Sequence, residues 1–371
     1  RKPCSPYYQS LDTSKIAFDR IQVPSVWQAL GYEPPFYVNG KYPFPVTPPK
    51  IPTKDSTGTY KEDINGTEYA CGRKQYNSKG VYRTFFRIDD LNKRYILSFL
   101  GVAPCVEVYI NGRYVGYSEG SHNTAEFNID SYIQPGENEL VAVVHKWCNG
   151  SYLEDQDMFR HNGIFRDVLL FANEPSYIYD FSFVPIKKGD KYDAAVTVRV
   201  NNFEGCKVRV SLSRNGKTIA ARIADAEHYT RFVLEGLEVE EWNAEVPTLY
   251  NFTLTLYKDK ILTEAICKQV GFKTVTIEHN KFLINGRLVK LKGVNHHDTN
   301  PYTGYYMTPA DMIKDVEIFK AFNINTVRTS HYPPDPMFIE LCDIYGVYVI
   351  DEADIECHGT LYPWQISGNR K

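Results

Sequence analysis

No apolar run in the 371 residues approaches the roughly 20 that a membrane-spanning helix needs, so a helical membrane anchor is excluded for this stretch. There is no excess of one charge sign either. The net charge of -3 gives no basic footprint, which excludes phosphate-driven nucleic-acid binding. The eight cysteines stand at 4, 71, 105, 148, 206, 267, 342 and 357, and no two make a CxxC or a zinc-finger spacing. Scattered in this way, they read as small buried hydrophobes in a reducing compartment, which predicts a cytoplasmic setting. The first residues carry no secretory h-region. The chain opens on Arg1 rather than Met, which predicts that a preceding segment has been removed.

What is present is an ordinary globular composition, 43% hydrophobic and 23% charged. The length predicts two or three domains. Aromatics reach 14%, with 28 tyrosines. That supply suits pleated strands, and it also suits aromatic platforms for stacking on sugar faces; composition favours the first.

Residues 1–173 read as all-β. Residues 81–89 and 95–100 are β-rich runs, and 139–147 is a further strand. Between them, VEVYINGRYVGYSEG (106–120) is a hairpin signal around Asn111-Gly112, the pair a type I′ turn prefers. Such short strands predict a sandwich or jelly roll. Seven prolines between residues 34 and 52 exclude a helix or central strand there and predict a loop or linker. Residues 174–276 hold four alternating runs joined by polar turns, which fit a small immunoglobulin-like sandwich.

Residues 277–371 change to strand–helix alternation. LVKLKGV (288–294), INTVRTS (324–330) and VYVID (347–351) read as strands, the last apolar on both faces. Thr308-Pro309 and Asp335-Pro336 open the helices between them, and Gly346 closes the second. This is the opening of a parallel α/β fold, read as a (β/α)8 barrel. A barrel needs about 250 residues, so these 95 predict an incomplete one.

Each of the three strands ends in a polar cluster. These are Asn295-His296-His297-Asp298, then Arg328 with Ser330-His331-Tyr332, then Asp351-Glu352 followed by Glu356 and His358. Barrel active sites form at the C-terminal ends of the strands, so the three clusters should converge on one mouth. Glu356 and His358, two apart in an extended segment, point the same way and can hold a divalent cation or simply bond each other. A zinc site would want a third ligand, which His297 or His331 could supply. Tyr152-Leu153-Glu154-Asp155-Gln156-Asp157 puts three carboxylates into four residues. That is a solvated acidic loop or a binding loop held by a scaffold.

Taken together, VPSVWQALGYEPPFYVNGKYPFPVTPP, NGSYLEDQDMFRHNGIFRDV, GVNHHDTNP, VRTSHYP and DEADIECHG resemble glycoside hydrolase family 2. Within it they are most similar to the large bacterial β-galactosidases of the lac type, with SYLEDQDM favouring these over β-glucuronidase and β-mannosidase relatives. The resemblance runs from about Pro24 to Gly359. It implies a jelly-roll sugar-binding domain (1–173), an immunoglobulin-like β-sandwich (174–276) and the first strands of a TIM barrel (277–371). It implies retaining hydrolysis of β-D-galactosides such as lactose, by two carboxylates about 5–5.5 Å apart.

By the same resemblance, Asp157 binds galactosyl hydroxyls and a sodium ion, and Asn39 touches the same sugar. His297 and His331 bind the sugar and stabilise the transition state, with Arg328 nearby. Glu356 and His358 are magnesium ligands, manganese being the alternative. His296 stands where the family usually has Arg, so it receives no role. The family's acid/base and nucleophile lie later in the barrel. No Asp or Glu follows Glu356 in this sequence, so both are expected beyond residue 371 and the chain alone is expected to be inactive. A homo-oligomer is implied for the full-length enzyme. The alternatives are another family 2 glycosidase such as a β-glucuronidase, a stand-alone carbohydrate-binding protein, and one half of a split enzyme completed by a C-terminal chain.

Overall fold

The computed structural model describes residues 13–39, 42, 48, 51 and 77–360. Most of the proline-rich stretch lies outside them. The first unit is a sandwich of a four-stranded sheet (order 79–88, 136–145, 105–110, 113–119) and a three-stranded one (168–173, 94–99, 125–128). Phe99, Val106, Val108, Ile110, Ile129 and Val144 form the core between them. The 105–119 hairpin turns at Asn111 (φ 50°) and Gly112 (φ 73°), the left-handed pair that a type I′ turn requires. The Asn111 side chain also donates to the Tyr132 carbonyl and accepts from the Glu139 amide, which ties the turn to its neighbours.

The second unit packs three antiparallel strands (177–188, 191–201, 229–237) against four (217–225, 206–214, 250–258, 261–270). Lys191–Asn201 alternates half-buried and buried residues along its whole length, the period of a strand with one face in a core.

The third unit begins with a small three-stranded sheet (275–278, 281–284, 287–288). Three parallel strands follow, Gly293–His296, Thr326–Thr329 and Tyr348–Ile350, in chain order. The apolar run 288–294 is therefore not one strand. Its start closes the small sheet, and the parallel strand begins at Gly293, where a Cβ would lie 3.2 Å from Thr326. The third strand is apolar on both faces, as its sequence implies, but it is not buried on both, since Ile350 is 46% exposed.

The helices between these strands start as their caps dictate. The Asp311 amide donates to Thr308 Oγ1 (3.2 Å) and the Thr308 amide to Asp311 Oδ2 (3.0 Å), a capping box with Pro309 at the first position. The Met337 amide donates to Asp335 Oδ1 (2.9 Å) ahead of the helix Pro336–Tyr345. Gly346 ends that helix in the left-handed region (φ 77°), and a Cβ there would sit 2.6 Å from the Ala244 carbonyl oxygen. No helix among the described residues is long and apolar enough to cross a membrane. Cys105, Cys148, Cys206 and Cys342 are buried free thiols, as expected, but Cys267 is exposed and Cys357 half-buried.

Candidate functional site

The site forms where the jelly roll meets the C-terminal ends of the three parallel strands. A short 3-10 turn, Asn149–Tyr152, leads into the acidic segment. Glu154–Asp155 then pairs as a two-residue parallel strand with Glu356–Cys357 from beyond the third barrel strand. One backbone contact thus fixes the jelly-roll acids beside Glu356 and His358.

The three acids take different roles. Asp155 is buried, bridges to Arg160 (3.0 Å) and accepts the Gly359 amide (2.6 Å). Burial lifts its pKa above the ordinary value, although Arg160 and that amide oppose the shift. Glu154 is buried too and accepts the Ser121 amide (3.0 Å). Burial, and then the Asp354 charge, push it up to about 8. Only Asp157 is partly open, and its Oδ1 accepts the Tyr37 hydroxyl. So the segment is not a solvated loop. Two of its acids are internal struts and the third faces the mouth.

Tyr37 lies in the strand Phe36–Val38, which pairs with Met158–Arg160. Asn39 follows that strand directly and is exposed. Asn39 and Asp157 therefore flank one two-stranded ribbon.

From the barrel side, His297 Nδ1 lies 3.4 Å from the Tyr332 hydroxyl, and its ring is 5.4 Å from that of His331. Burial first, and then the neighbouring His331 and His296, lower the pKa of His297, so it sits at the mouth as a neutral imidazole; the Asp157 carboxylate is close enough to oppose this shift. Arg328 Nε donates to Glu352, Arg328 Nη2 lies 3.3 Å from His331 Nδ1, and that nitrogen lies 3.4 Å from Glu352 Oε2. The predicted residues His297, Arg328 and His331 thus form one cluster at the barrel mouth, and Asp157 of the jelly roll is near enough for its side chain to act electrostatically on His297. His296 turns away: Nε2 bonds Asp315 (2.9 Å) and the ring stacks on Phe338 at 4.7 Å. Its role is packing, consistent with none being expected at the site.

Glu356 Oε1 and His358 Nδ1 are 3.9 Å apart, on one side of the chain as their spacing implies. That His358 nitrogen is buried and has no hydrogen-bond partner in the structure. Among the described residues no group of three or more His, Cys, Asp or Glu side chains is gathered as a metal site. Two donors suit a magnesium ion that keeps several waters and do not suit a closed zinc site.

Sequence reasoning missed the layer beneath. Asp354 is buried and accepts from the His122 amide (3.0 Å) and from Gln156 Nε2 (2.8 Å), with His122 Nδ1 at 3.2 Å. Burial raises the Asp354 carboxyl, but the contacts from His122 and Gln156 outweigh it and hold the group below its ordinary value. Burial keeps His122 neutral, and its ring stacks on Tyr332 at 3.7 Å and 7°. Arg166 donates to the His122 carbonyl (3.1 Å), the Pro333 carbonyl (3.0 Å) and Asp298 Oδ2 (3.3 Å). The bonds that tie Asp298 and Asp354 to the jelly roll join residues 132 to 232 positions apart, so no local pattern announces them.

Comparisons with known proteins place both of the domains that meet at this mouth in one family. Residues 8–72 and 67–174 match the family model "Glycosyl hydrolases family 2, sugar binding domain". Residues 176–273 match "Glycosyl hydrolases family 2", and 275–370 match "Glycosyl hydrolases family 2, TIM barrel domain". The chain belongs to glycosyl hydrolase family 2. It is 40% identical over 352 residues to a protein of Actinobacillus pleuropneumoniae named beta-galactosidase, covering 93% of this chain and 31% of that one. A beta-galactosidase of Alteromonas mediterranea is 38% identical over 360 residues, covering 93% and 33%. The chain thus spans about a third of the length of the curated relatives it matches. Among solved structures, an FMN-binding beta-glucuronidase from Facaelibacterium prausnitzii L2-6 matches with a TM-score of 0.73 at 22% identity, over 92% of this chain and 50% of that one. At that identity the likeness speaks for the fold: sugar-binding sandwich, immunoglobulin-like sandwich and partial barrel.

Proposed function

We propose that this chain is the sugar-positioning part of a retaining β-galactosidase acting on terminal β-D-galactosides. The observation that carries the reading is Asp157, delivered by the jelly roll to within electrostatic reach of the barrel's His297. An acidic side chain from one domain and a neutral imidazole from the other suit the donors and acceptors of sugar hydroxyls. Asn39 follows the strand that carries Tyr37, His331 lies beside His297, and Arg328 holds Glu352 and His331 in place. The naming of the curated relatives supports galactose as the sugar. A glucuronide would bring a carboxylate needing a cation, and Arg328 at this mouth is already paired with Glu352.

Glu356 and His358 are the proposed holders of magnesium, or of manganese, and Asp157 of sodium. A divalent ion there would supply positive charge beside the substrate. In this reading the acid/base and nucleophile belong to further barrel strands, in the same polypeptide or in a complementing chain, and the assembled enzyme is a homo-oligomer in the cytoplasm.

The test is hydrolysis of nitrophenyl β-D-galactoside, with and without magnesium. It compares this chain with a version extended by roughly 250 residues of its reading frame. Magnesium-stimulated turnover is expected in the extended version only. Turnover by the purified chain alone would sink the division of labour. Turnover of a glucuronide but not a galactoside by the extended version would sink the substrate.

A further inference from the structure

The two nitrogens of the half-buried His297 ring have different surroundings. Nδ1 lies 3.4 Å from the Tyr332 hydroxyl. Nε2 is neither enclosed nor hydrogen-bonded among the described residues, so it is the nitrogen left to the mouth. Burial keeps the ring neutral, and a neutral imidazole carries one proton. Which nitrogen holds it follows from Tyr332. That side chain is buried, and burial keeps its hydroxyl in the protonated form. Among the described residues, His297 Nδ1 is the only hydrogen-bond partner of the hydroxyl. A proton on Nδ1 would make the hydroxyl an acceptor and strand its own hydrogen in a buried site, which is costly. With the proton on Nε2, the hydroxyl donates to Nδ1 and no buried donor is left over.

Tyr332 is itself placed by the jelly roll. The His122 ring lies flat on it, with centroids 3.7 Å apart at 7°. His122 cannot slide, because its amide donates to Asp354 Oδ2 (3.0 Å) and its Nδ1 lies 3.2 Å from the same oxygen. His122 Nε2 is buried without a hydrogen-bond partner, so the single proton of that ring sits on Nδ1 and goes to Asp354. The backbone on either side of the phenol is tied as well. The Tyr332 amide donates to the Thr329 carbonyl (3.1 Å), and the Pro333 carbonyl accepts from Arg166 (3.0 Å).

We propose that Tyr332 is a positioning residue: its hydroxyl donates to His297 Nδ1 and so fixes the tautomer that points an Nε2–H donor at the sugar, with His122 of the jelly roll backing the phenol ring. The proposal deepens the reading of His297 as a sugar contact and rests on it. A sugar hydroxyl both donates and accepts. Asp157 brings acceptor oxygens to the mouth, and the tautomer set by Tyr332 supplies the matching donor beside them. A ring locked by a hydrogen bond on its far side also loses less freedom when the sugar arrives. The jelly roll thus acts on the mouth twice, through Asp157 in front and through His122 and Tyr332 from behind.

The test is nitrogen-15 NMR of the chain labelled at histidine, with the His297 signals assigned by their loss in His297→Gln. In the parent, Nε2 is expected to be protonated and Nδ1 to be a bare nitrogen shifted by the hydrogen bond it accepts. Tyr332→Phe removes only the hydroxyl and keeps the ring against His122. It should move Nδ1 to the position of a free acceptor and weaken galactose binding, measured by calorimetry, about fivefold. Near-UV circular dichroism checks the fold of the variant, and the parent spectrum decides the tautomer without it. A proton on Nδ1 in the parent overturns the proposal, as does an Nδ1 signal that Tyr332→Phe leaves in place; neither touches the sugar reading. Galactose affinity unchanged in Tyr332→Phe overturns it too, because the hydroxyl would then not serve the sugar. Galactose that shifts no His297 signal in the parent sinks His297 as a sugar contact, while the spectrum still shows which nitrogen holds the proton.

Discussion

The immunoglobulin-like sandwich and the seam between jelly roll and barrel use charge in opposite ways. In the sandwich, ion pairs lie on the surface: Lys207–Asp225, with side chains 54% and 84% exposed, and Lys191–Glu238, with 45% and 79%. Its interior is apolar, with Val198, Val208, Leu212, Leu254 and Phe272 wholly buried. In the seam, the ion pairs Arg166–Asp298 and Arg160–Asp155 are buried, and so is the Asp354 carboxyl beside the neutral His122. Burying a charge is costly unless partners meet it closely, and once buried it tolerates little displacement. The sandwich therefore has only to stay folded. The seam fixes which atoms face each other across two domains, and Asp157 hangs from it.

The largest expected effect comes from removing one buried charge. Asp354→Ala strands the His122 amide and Gln156 Nε2 without their acceptor, and each buried donor left unpaired costs about 1–3 kcal/mol. In the sandwich, Leu254→Ala opens a cavity at a cost of about 2–5 kcal/mol. The two should differ in reach. Segment-resolved hydrogen exchange is expected to show faster opening on both sides of the seam for Asp354→Ala, and within residues 177–270 alone for Leu254→Ala. Sugar binding should fall in the first variant and survive in the second. Asp354→Ala with unchanged exchange across the seam would remove the basis of the contrast.

The next effect depends on pH. Glu154, pushed up to about 8 from its ordinary 4.5, keeps in the folded state a proton that the unfolded chain releases. The folded state thus binds more protons throughout that window, and stability falls as pH rises from about 4.5 to about 8. Each pH unit of that window is worth at most about 1.4 kcal/mol, so the loss across it is on the order of a few kcal/mol. Glu154→Gln, isosteric with the protonated acid, should flatten this slope and be more stable than the parent at about pH 8.5. Denaturant midpoints of parent and variant across roughly pH 5–9 decide it, and parallel curves would refute the assignment.

The same contrast explains what could be read in the sequence. Regular elements follow from local rules: alternation over 191–201, Asn111-Gly112 at the turn, Thr308-Pro309 and Asp335-Pro336 at the helix starts. The mouth was legible because barrel topology sends strand ends to one side, so His297, Arg328 and His331 meet without any pairwise signal between them. The parallel strand at 293–296 was misjudged because Leu288 to Lys292 carry a strand-like composition, while pairing with 326–329 decides where it starts. The fates of Glu154 and Asp155 were hidden in the same way. Three acids in four residues look solvated, and only partners at Ser121, Arg160 and Gly359 show that two are internal. Asp354 stands in a short run with Asp351, Glu352 and Glu356, and nothing in that run marks it as the one bound by His122.

The smallest expected effect sharpens the comparison from the surface side. Lys207 and Asp225 are well exposed, so water and salt screen their attraction and holding two long side chains together costs entropy. Lys207→Ala should change stability by about 0.5 kcal/mol or less, with little difference between about 0.05 and 0.5 M salt. Arg160 offers the matched measurement, because its partner Asp155 is 1% exposed and also accepts the Gly359 amide beside the proposed metal ligands. Arg160→Ala should cost several-fold more and keep that cost at high salt, since the buried pair is out of reach of the ions. If the two substitutions prove equally mild, burial is not what separates the seam from the sandwich, and Asp157 would have to be held by the ribbon with Tyr37 alone.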